Sequence, residues 1–210
     1  VKFAKGFHEL RRTLVEPRSL LDIPSVTVLY GETGTGKSHA VNEFRKMRDE
    51  KGLQMYTWTP LQDKWFDGYE GEGVVHFEEF RGQFPLAGLL GICDKFPMKV
   101  QVKGSMEEMQ AHEFFFTSPK HPRLWYPNVK DDKIEQLRRR ITQIVRCSKN
   151  GEEFVKEQVE WTHKDGFDPD EILRNAECAV VSEESLGSKT MQLIRKNTMN
   201  IDKVEKLYYD

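Results

Sequence analysis

Apolar positions along the chain switch repeatedly between a helical and a strand-like period. Phe7, Leu10 and Leu14 recur at helical spacing, Pro17 interrupts, and Leu20 and Leu21 follow, which predicts short helices over residues 1–24. From Ser25 the pattern changes. Val26, Val28 and Leu29, in a run rich in β-branched residues, predict a buried strand ending in a glycine-rich loop. Residues 38–51 predict a helix stopped by Gly52, and residues 53–58 a second strand closed by Pro60. Val74–Phe77 is a short apolar run that fits a buried strand. Pro85 opens a predicted helix through Leu86, Leu89, Leu90, Cys93 and Phe96. Residues 98–103 alternate as a strand and turn at Gly104. Residues 113–117 predict a further buried strand, 131–139 a helix and 141–147 a strand. This alternation predicts an α/β sheet with helices on its faces. After Gly151 few large apolar residues occur until Met191 and Ile194. Acidic, polar stretches such as residues 181–189 predict a loose or disordered tail.

Composition narrows the class. A chain of 210 residues can hold one sizeable core with a small appendage. No apolar run approaches the roughly 18 to 20 residues that a membrane span needs. No charged-then-apolar leader opens the chain, so a soluble intracellular protein is the expectation. Cys93, Cys147 and Cys178 are widely spaced without a CxxC pair, which fits ordinary thiols in a reducing compartment. The histidines do not cluster, so a metal cage is not expected. Residues 151–210 carry 14 acids against 8 Lys/Arg, a net of −6. Since the whole chain is −2, residues 1–150 carry +4, and the mild basicity lies with the motifs.

The sharpest of these motifs is Gly31-Glu32-Thr33-Gly34-Thr35-Gly36-Lys37-Ser38, which matches GxxxxGK[ST] between a predicted strand and a predicted helix. Glycines let the backbone curl so that successive N–H groups face phosphates, and the helix N-terminus adds partial positive charge. Lys37 is placed to reach the β and γ phosphates of ATP, and the Ser38 hydroxyl to join a magnesium shell. Such a loop needs an acidic partner at a neighbouring strand end, which Val74-Val-His-Phe-Glu78-Glu79-Phe80 supplies. Glu78 is the candidate magnesium ligand, usually through water. Glu79 is the candidate that orients or deprotonates the attacking water. Two carboxylates after an apolar strand also occur as a solvated strand end. His76 reads as a strand residue facing a helix or solvent. Trp58, Trp65, Phe66 and Tyr69 read as core or interface packing rather than base-stacking platforms.

With these motifs placed, residues 20–147 resemble the helicase half of the replication-initiator (Rep) proteins of circovirus-like, circular single-stranded DNA viruses, a superfamily 3 helicase. The resemblance rests on the phosphate loop, on Lys64-Trp-Phe-Asp-Gly-Tyr69, on 74–80, on Cys93-Asp-Lys-Phe-Pro-Met-Lys-Val-Gln-Val-Lys-Gly104, on Phe116-Thr-Ser-Pro-Lys-His-Pro-Arg-Leu-Trp-Tyr126 and on Leu137-Arg-Arg-Arg-Ile141. It implies an AAA+-like P-loop ATPase domain over 25–150 that assembles as a homo-oligomeric, hexameric ring with ATP between subunits. It also implies a helical oligomerisation element, the end of which is residues 1–24, and leaves 151–210 as an acidic tail. Lys103 falls in the family's pore-loop motif on a hairpin that touches single-stranded DNA, with Lys99 beside it. A cation at a glycine-turned tip can follow phosphates without reading sequence, although a solvated hairpin lysine looks the same. Arg140 matches the family's arginine finger, and Arg139 competes for that role. The run at 138–140 also reads as a solvated helix end or a nuclear targeting patch. The resemblance implies the host nucleus as the location.

Two departures from the family pattern shape the expectation. The family's sensor strand commonly ends Thr-Ser-Asn, whereas here Thr117 and Ser118 precede Pro119, which lacks both a side-chain donor and an N–H. Thr117, Ser118 or Lys120 are the candidate substitutes for the sensor, and slow hydrolysis is one expectation. The His-x-His and Tyr-x-x-Lys patterns of the family's nicking domain do not occur. The chain is therefore expected not to nick DNA, and to be either a fragment of a longer Rep or a Rep-derived protein. Three activities fit the residues: a DNA helicase module, an RNA-directed helicase of the same superfamily, and an ATP-binding assembly module with little turnover.

Overall fold

A computed structural model describes residues 14–52 and 54–161, together with Gly6 and Leu10. Its centre is a six-stranded sheet in the order β2-β3-β6-β1-β7-β8. The strands are β1 (Ser25–Tyr30), β2 (Met55–Trp58), β3 (Val74–Phe77), β6 (Glu113–Ser118), β7 (Gln143–Asn150) and β8 (Glu153–Gln158). β4 (Lys99–Val102) and β5 (Ser105–Glu108) form a separate antiparallel hairpin. The longer helices among the described residues are α1 (Lys37–Asp49), α2 (Leu86–Ile92) and α3 (Asp131–Arg140). The five strands β2, β3, β6, β1 and β7 run parallel, and β8 returns antiparallel to β7. This is the mixed α/β, P-loop architecture that the alternating pattern predicts.

Side chains of β1 alternate across the sheet, as strand geometry requires. Val26, Val28 and Tyr30 enter the larger core, while Leu29 enters a smaller one with Val41 of α1 and Val145 and Cys147 of β7. The larger core is unusually aromatic. Trp58, Phe66, Phe77, Phe80 and Phe116 are completely or almost completely buried, and Phe77 stacks on Phe116 at 4.6 Å between ring centroids. Truncating one such ring to alanine costs about 3–5 kcal/mol, so this cluster fixes how β3 and β6 lie side by side. The register sets Phe77 opposite Phe116 and Val28 opposite the same residue on the other side. The carboxyl ends of β3, β6 and β1 consequently reach one edge together.

Several boundaries differ from the sequence pattern. Leu14 is helical, but Leu20 and Leu21 form a turn rather than a second helix. This stretch is instead tied down by Arg18, whose guanidinium donates to the carbonyls of Ile92, Asp94, Phe96 and Ala111. α2 ends at Ile92, and Phe96, expected on that helix, is exposed. The order expected to weaken at Gly151 continues through β8, with Val159 and Trp161 packed against the core. Residues 162–210, including the apolar Met191 and Ile194 and the third cysteine, Cys178, lie outside the described residues, as does most of 1–13. Among the described residues no helix is long and apolar enough to cross a membrane.

Candidate nucleotide site

The glycine loop lies between β1 and α1. Gly31, Gly34 and Gly36 all have positive φ, at 151°, 83° and 81°. Gly31 has a second reason to be glycine, because a Cβ there would lie 1.9 Å from the Cys147 carbonyl oxygen of β7. Its N–H donates to the Ser118 carbonyl at 3.1 Å, which ties the loop to the end of β6. Thr35 is buried and donates to the Glu32 carbonyl at 2.8 Å, closing the loop on itself. Gly36 caps α1 without a side-chain hydrogen bond, and no acid occupies the first turn. The leading N–H groups and the helix dipole are therefore free of any competing carboxylate.

Lys37 is buried, and its ammonium donates to the carbonyls of Gly31 at 2.8 Å and Glu32 at 2.6 Å. It thus curls back under the loop that would cradle the phosphates. Ser38, Glu32, Thr33 and Gly34 are exposed. This combination fits a polyphosphate: a cation at the loop's centre, uncapped helix amides and an open hydroxyl beside them.

Glu78 and Glu79 follow β3, on the carboxyl edge that β1 and β6 share with it, and both are half-buried. The Glu78 N–H donates to the Trp58 carbonyl at 2.9 Å. Glu79 adopts φ +48°, a left-handed conformation that a non-glycine residue rarely takes. Its N–H donates to Thr117 Oγ1 at 3.2 Å, and its carbonyl accepts from Gln83 Nε2 at 3.0 Å. Arg81 lies 3.4 Å from its carboxylate.

Thr117 and Ser118, the sensor candidates, are fully buried. Thr117 Oγ1 also bonds His76 Nε2 at 3.1 Å. Ser118 Oγ donates to the Lys120 carbonyl at 2.7 Å and accepts from Trp125 Nε1 at 2.9 Å. Both hydroxyls are engaged within the fold, while Lys120 beyond Pro119 is exposed. His76 lies on the helix-facing side of β3, as expected: its strand partners Thr57 and Phe115 meet Arg45 and Phe44 of α1. It is buried against β6, and burial, followed by the nearby Arg45 charge, holds its imidazole down at about 4. The aromatic expectation divides by residue: Trp58, Phe66 and Tyr69 are core, whereas Trp65 is half-buried beneath the Lys64 ammonium.

The other candidates lie away from the loop. Lys103 lies in the turn after β4 with its side chain 80 % exposed, and its ammonium meets Asp67 Oδ2 at 3.0 Å. Its N–H donates to the other Asp67 oxygen at 2.7 Å. Desolvation alone would raise the Asp67 carboxyl, but these Lys103 contacts together hold it below the usual carboxylate range. Lys99 pairs with Glu108 across the hairpin at 3.1 Å. Arg140, at the end of α3, forms an ion pair with Asp94 and donates to the Gln136 carbonyl. Arg139 is exposed and makes no ion pair among the described residues.

Sequence reasoning missed two participants near the loop. Phe154 of β8 sits against Gly36, so that a Cβ there would meet the ring at 3.0 Å. Gln83 holds the Glu79 carbonyl. Neither belongs to a recognisable motif, and only the pairing of β8 and the turn after β3 bring them in.

Comparison with known proteins agrees with this geometry. An RNA helicase family model matches residues 27–120, which take in most of β1, the phosphate loop, β3 and β6. A replication-associated protein of beak and feather disease virus is 36 % identical over 145 residues, covering 69 % of this chain and 46 % of the relative. The chain belongs to the circovirus-like replication-associated proteins, in their helicase region. The replication-associated protein of goose circovirus is 36 % identical over 151 residues, 72 % of this chain and 48 % of its own length. That of porcine circovirus 1 is 35 % identical over 132 residues, 63 % and 40 % respectively. The chain therefore spans less than half the length of the replication-associated proteins it matches.

Proposed function

We propose that this chain is the ATP-dependent DNA helicase module of a viral replication initiator, acting during rolling-circle replication. The observation that carries the reading is a shared sheet edge: a buried Lys37 within an uncapped glycine loop after β1, and two carboxylates after β3 at the same end of the parallel strands. Gly31 to Ser38 bind the ATP phosphates through backbone N–H groups, and Lys37 turns from the loop carbonyls to the β and γ phosphates. Ser38 and Glu78 hold magnesium, which neutralises charge on the phosphate oxygens when bound. Glu79 orients or deprotonates the attacking water.

A hexameric ring, with nucleotide between subunits, supplies Arg140 from the neighbour. Residues 1–24 provide part of the contact between subunits. Lys103, supported by Lys99, follows the backbone of single-stranded DNA through the ring. The full-length protein is expected to add a nicking domain, and the host nucleus is the expected location.

The decisive experiment is steady-state ATPase activity of the purified chain and of Lys37→Ala, with and without single-stranded DNA. The expected result is DNA-stimulated hydrolysis that Lys37→Ala abolishes. Equal hydrolysis by both removes the proposal. The RNA helicase description of the matching family model motivates a second reading, an RNA-directed motor. Competition between single-stranded DNA and RNA of one sequence decides, with RNA preference favouring that alternative. Nucleotide binding and assembly without nucleic-acid-stimulated turnover would leave an ATP-binding assembly module, the reading that Pro119 motivates.

A further inference from the structure

The backbone at Glu79 is held from the neighbouring strand rather than by its own. Its left-handed conformation is unfavourable for a residue with a Cβ and persists only where surrounding contacts impose it. Those contacts come mainly from Thr117. The Thr117 hydroxyl accepts the Glu79 N–H, and the Thr117 carbonyl accepts the Phe80 N–H at 2.8 Å. Both peptide groups flanking the Glu79 α-carbon are thus anchored to one residue at the end of β6.

The hydroxyl itself is held from behind. Thr117 Oγ1 has one proton and two lone pairs. His76 Nε2 lies 3.1 Å away inside the sheet, with both residues buried. A neutral imidazole accepting the hydroxyl proton at Nε2 leaves an oxygen lone pair for the Glu79 amide. The Thr117 hydroxyl then has a partner for its proton and another for its lone pair, and its rotation is fixed.

We propose that Thr117, backed by His76, is a positioning residue that fixes the backbone of Glu79 and so aims its carboxylate at the phosphate site. This rests on the reading of Glu79 as the residue that orients the attacking water. It gives the Thr117 hydroxyl a task other than sensing the γ-phosphate, which its burial and its two partners already disfavour. A carboxylate misplaced by about 1 Å costs on the order of 100-fold in rate while leaving the phosphate loop untouched.

The test uses the full chain and four variants: Thr117→Val, Thr117→Ser, His76→Phe and Glu79→Gln. Hydrolysis kinetics are measured beside the affinity for a fluorescent, slowly hydrolysed ATP analogue. Thr117→Val is expected to lower kcat about 100-fold with analogue affinity within twofold. Thr117→Ser, which keeps the hydroxyl, is expected to restore kcat to within threefold of the parent. His76→Phe should show the same split in a milder form, and decides the matter if Thr117→Val does not fold. A Thr117→Val chain hydrolysing within threefold of the parent overturns the proposal, as does equal loss of kcat and analogue affinity. Failure of the serine variant to restore kcat overturns it too. If Glu79→Gln hydrolyses like the parent, the reading of Glu79 itself is wrong, and the positioning role falls with it.

Discussion

Arg140 at the end of α3 is ion-paired with Asp94, two residues beyond the end of α2 in the same subunit. A guanidinium that serves a neighbouring active site must exchange this partner for a phosphoryl group. The pair is about one quarter exposed on each side, so the exchange does not require unfolding. Arg140→Ala is expected to reduce DNA-stimulated hydrolysis by about 10³-fold without changing nucleotide affinity. Arg139→Ala should remain within threefold of the parent. Mixing Arg140→Ala with Lys37→Ala subunits should recover part of the activity, because each supplies what the other lacks across a boundary. The reverse ranking of the two arginine variants would transfer the role to Arg139.

Lys103 offers its charge at the tip of the β4–β5 hairpin but shares it with Asp67. Lys103→Ala is expected to weaken binding of single-stranded DNA uniformly across sequences. It should also reduce the slope of log affinity against log salt by roughly one. Asp67→Asn releases the lysine and should strengthen binding at low salt. Fluorescence anisotropy over a salt series measures both. An unchanged slope for Lys103→Ala would remove it from the interface.

Gly31 and Gly34 both have positive φ, yet only Gly31 faces a neighbouring backbone. Gly31→Ala drives a Cβ into the Cys147 carbonyl and must shift β1 relative to β7. A loss of about 3 kcal/mol or more in urea unfolding is expected. Gly34→Ala meets open space, so only the backbone penalty of about 1 kcal/mol applies. Similar losses for the two would mean that the loop does not press on β7.

His76 gives the fold an acid-side weakness. Its imidazole is held at about 4 in the folded protein, mainly by burial, against an ordinary value near 6.5. Above pH 6.5 the ring is neutral in both states and its contribution is fully present. As the pH falls from 6.5 towards 4, the unfolded chain takes up a proton that the folded chain refuses, and stability declines. The single group accounts for about 3 kcal/mol across that window. Denaturation of the parent and of His76→Phe at pH 7, 5.5 and 4.5 should show a shallower decline in the variant. Parallel curves would contradict this.

Much of the phosphate side was legible because it is local. The glycine loop carries its own backbone requirements within eight consecutive residues, and the apolar runs of β1, β3 and β6 lie close to where the pattern puts them. What could not be read depends on contacts between distant residues. The apolar spacing of Leu89, Cys93 and Phe96 continues past the true end of α2. The carbonyls of Ile92, Asp94 and Phe96 are claimed instead by Arg18, more than seventy residues earlier. β8 was invisible because Glu153, Lys156 and Glu157 give it the charged composition of a sheet edge, where alternation fades. The partner of His76 was hidden because only the register of β3 on β6 reveals that it meets a hydroxyl.

β8 also decides where the chain can be shortened. By pairing with the whole of the outer half of β7, it removes an open row of amides and carbonyls, and it lays Phe154 over the glycine that begins α1. Cutting after Asn150 would therefore do two things at once: bare a sticky margin that invites other copies, and strip a ring from the nucleotide loop. A trimmed chain that clumps and binds nucleotide poorly would reflect a misplaced cut, not a defective motor, and the shortest faithful form runs to at least Trp161.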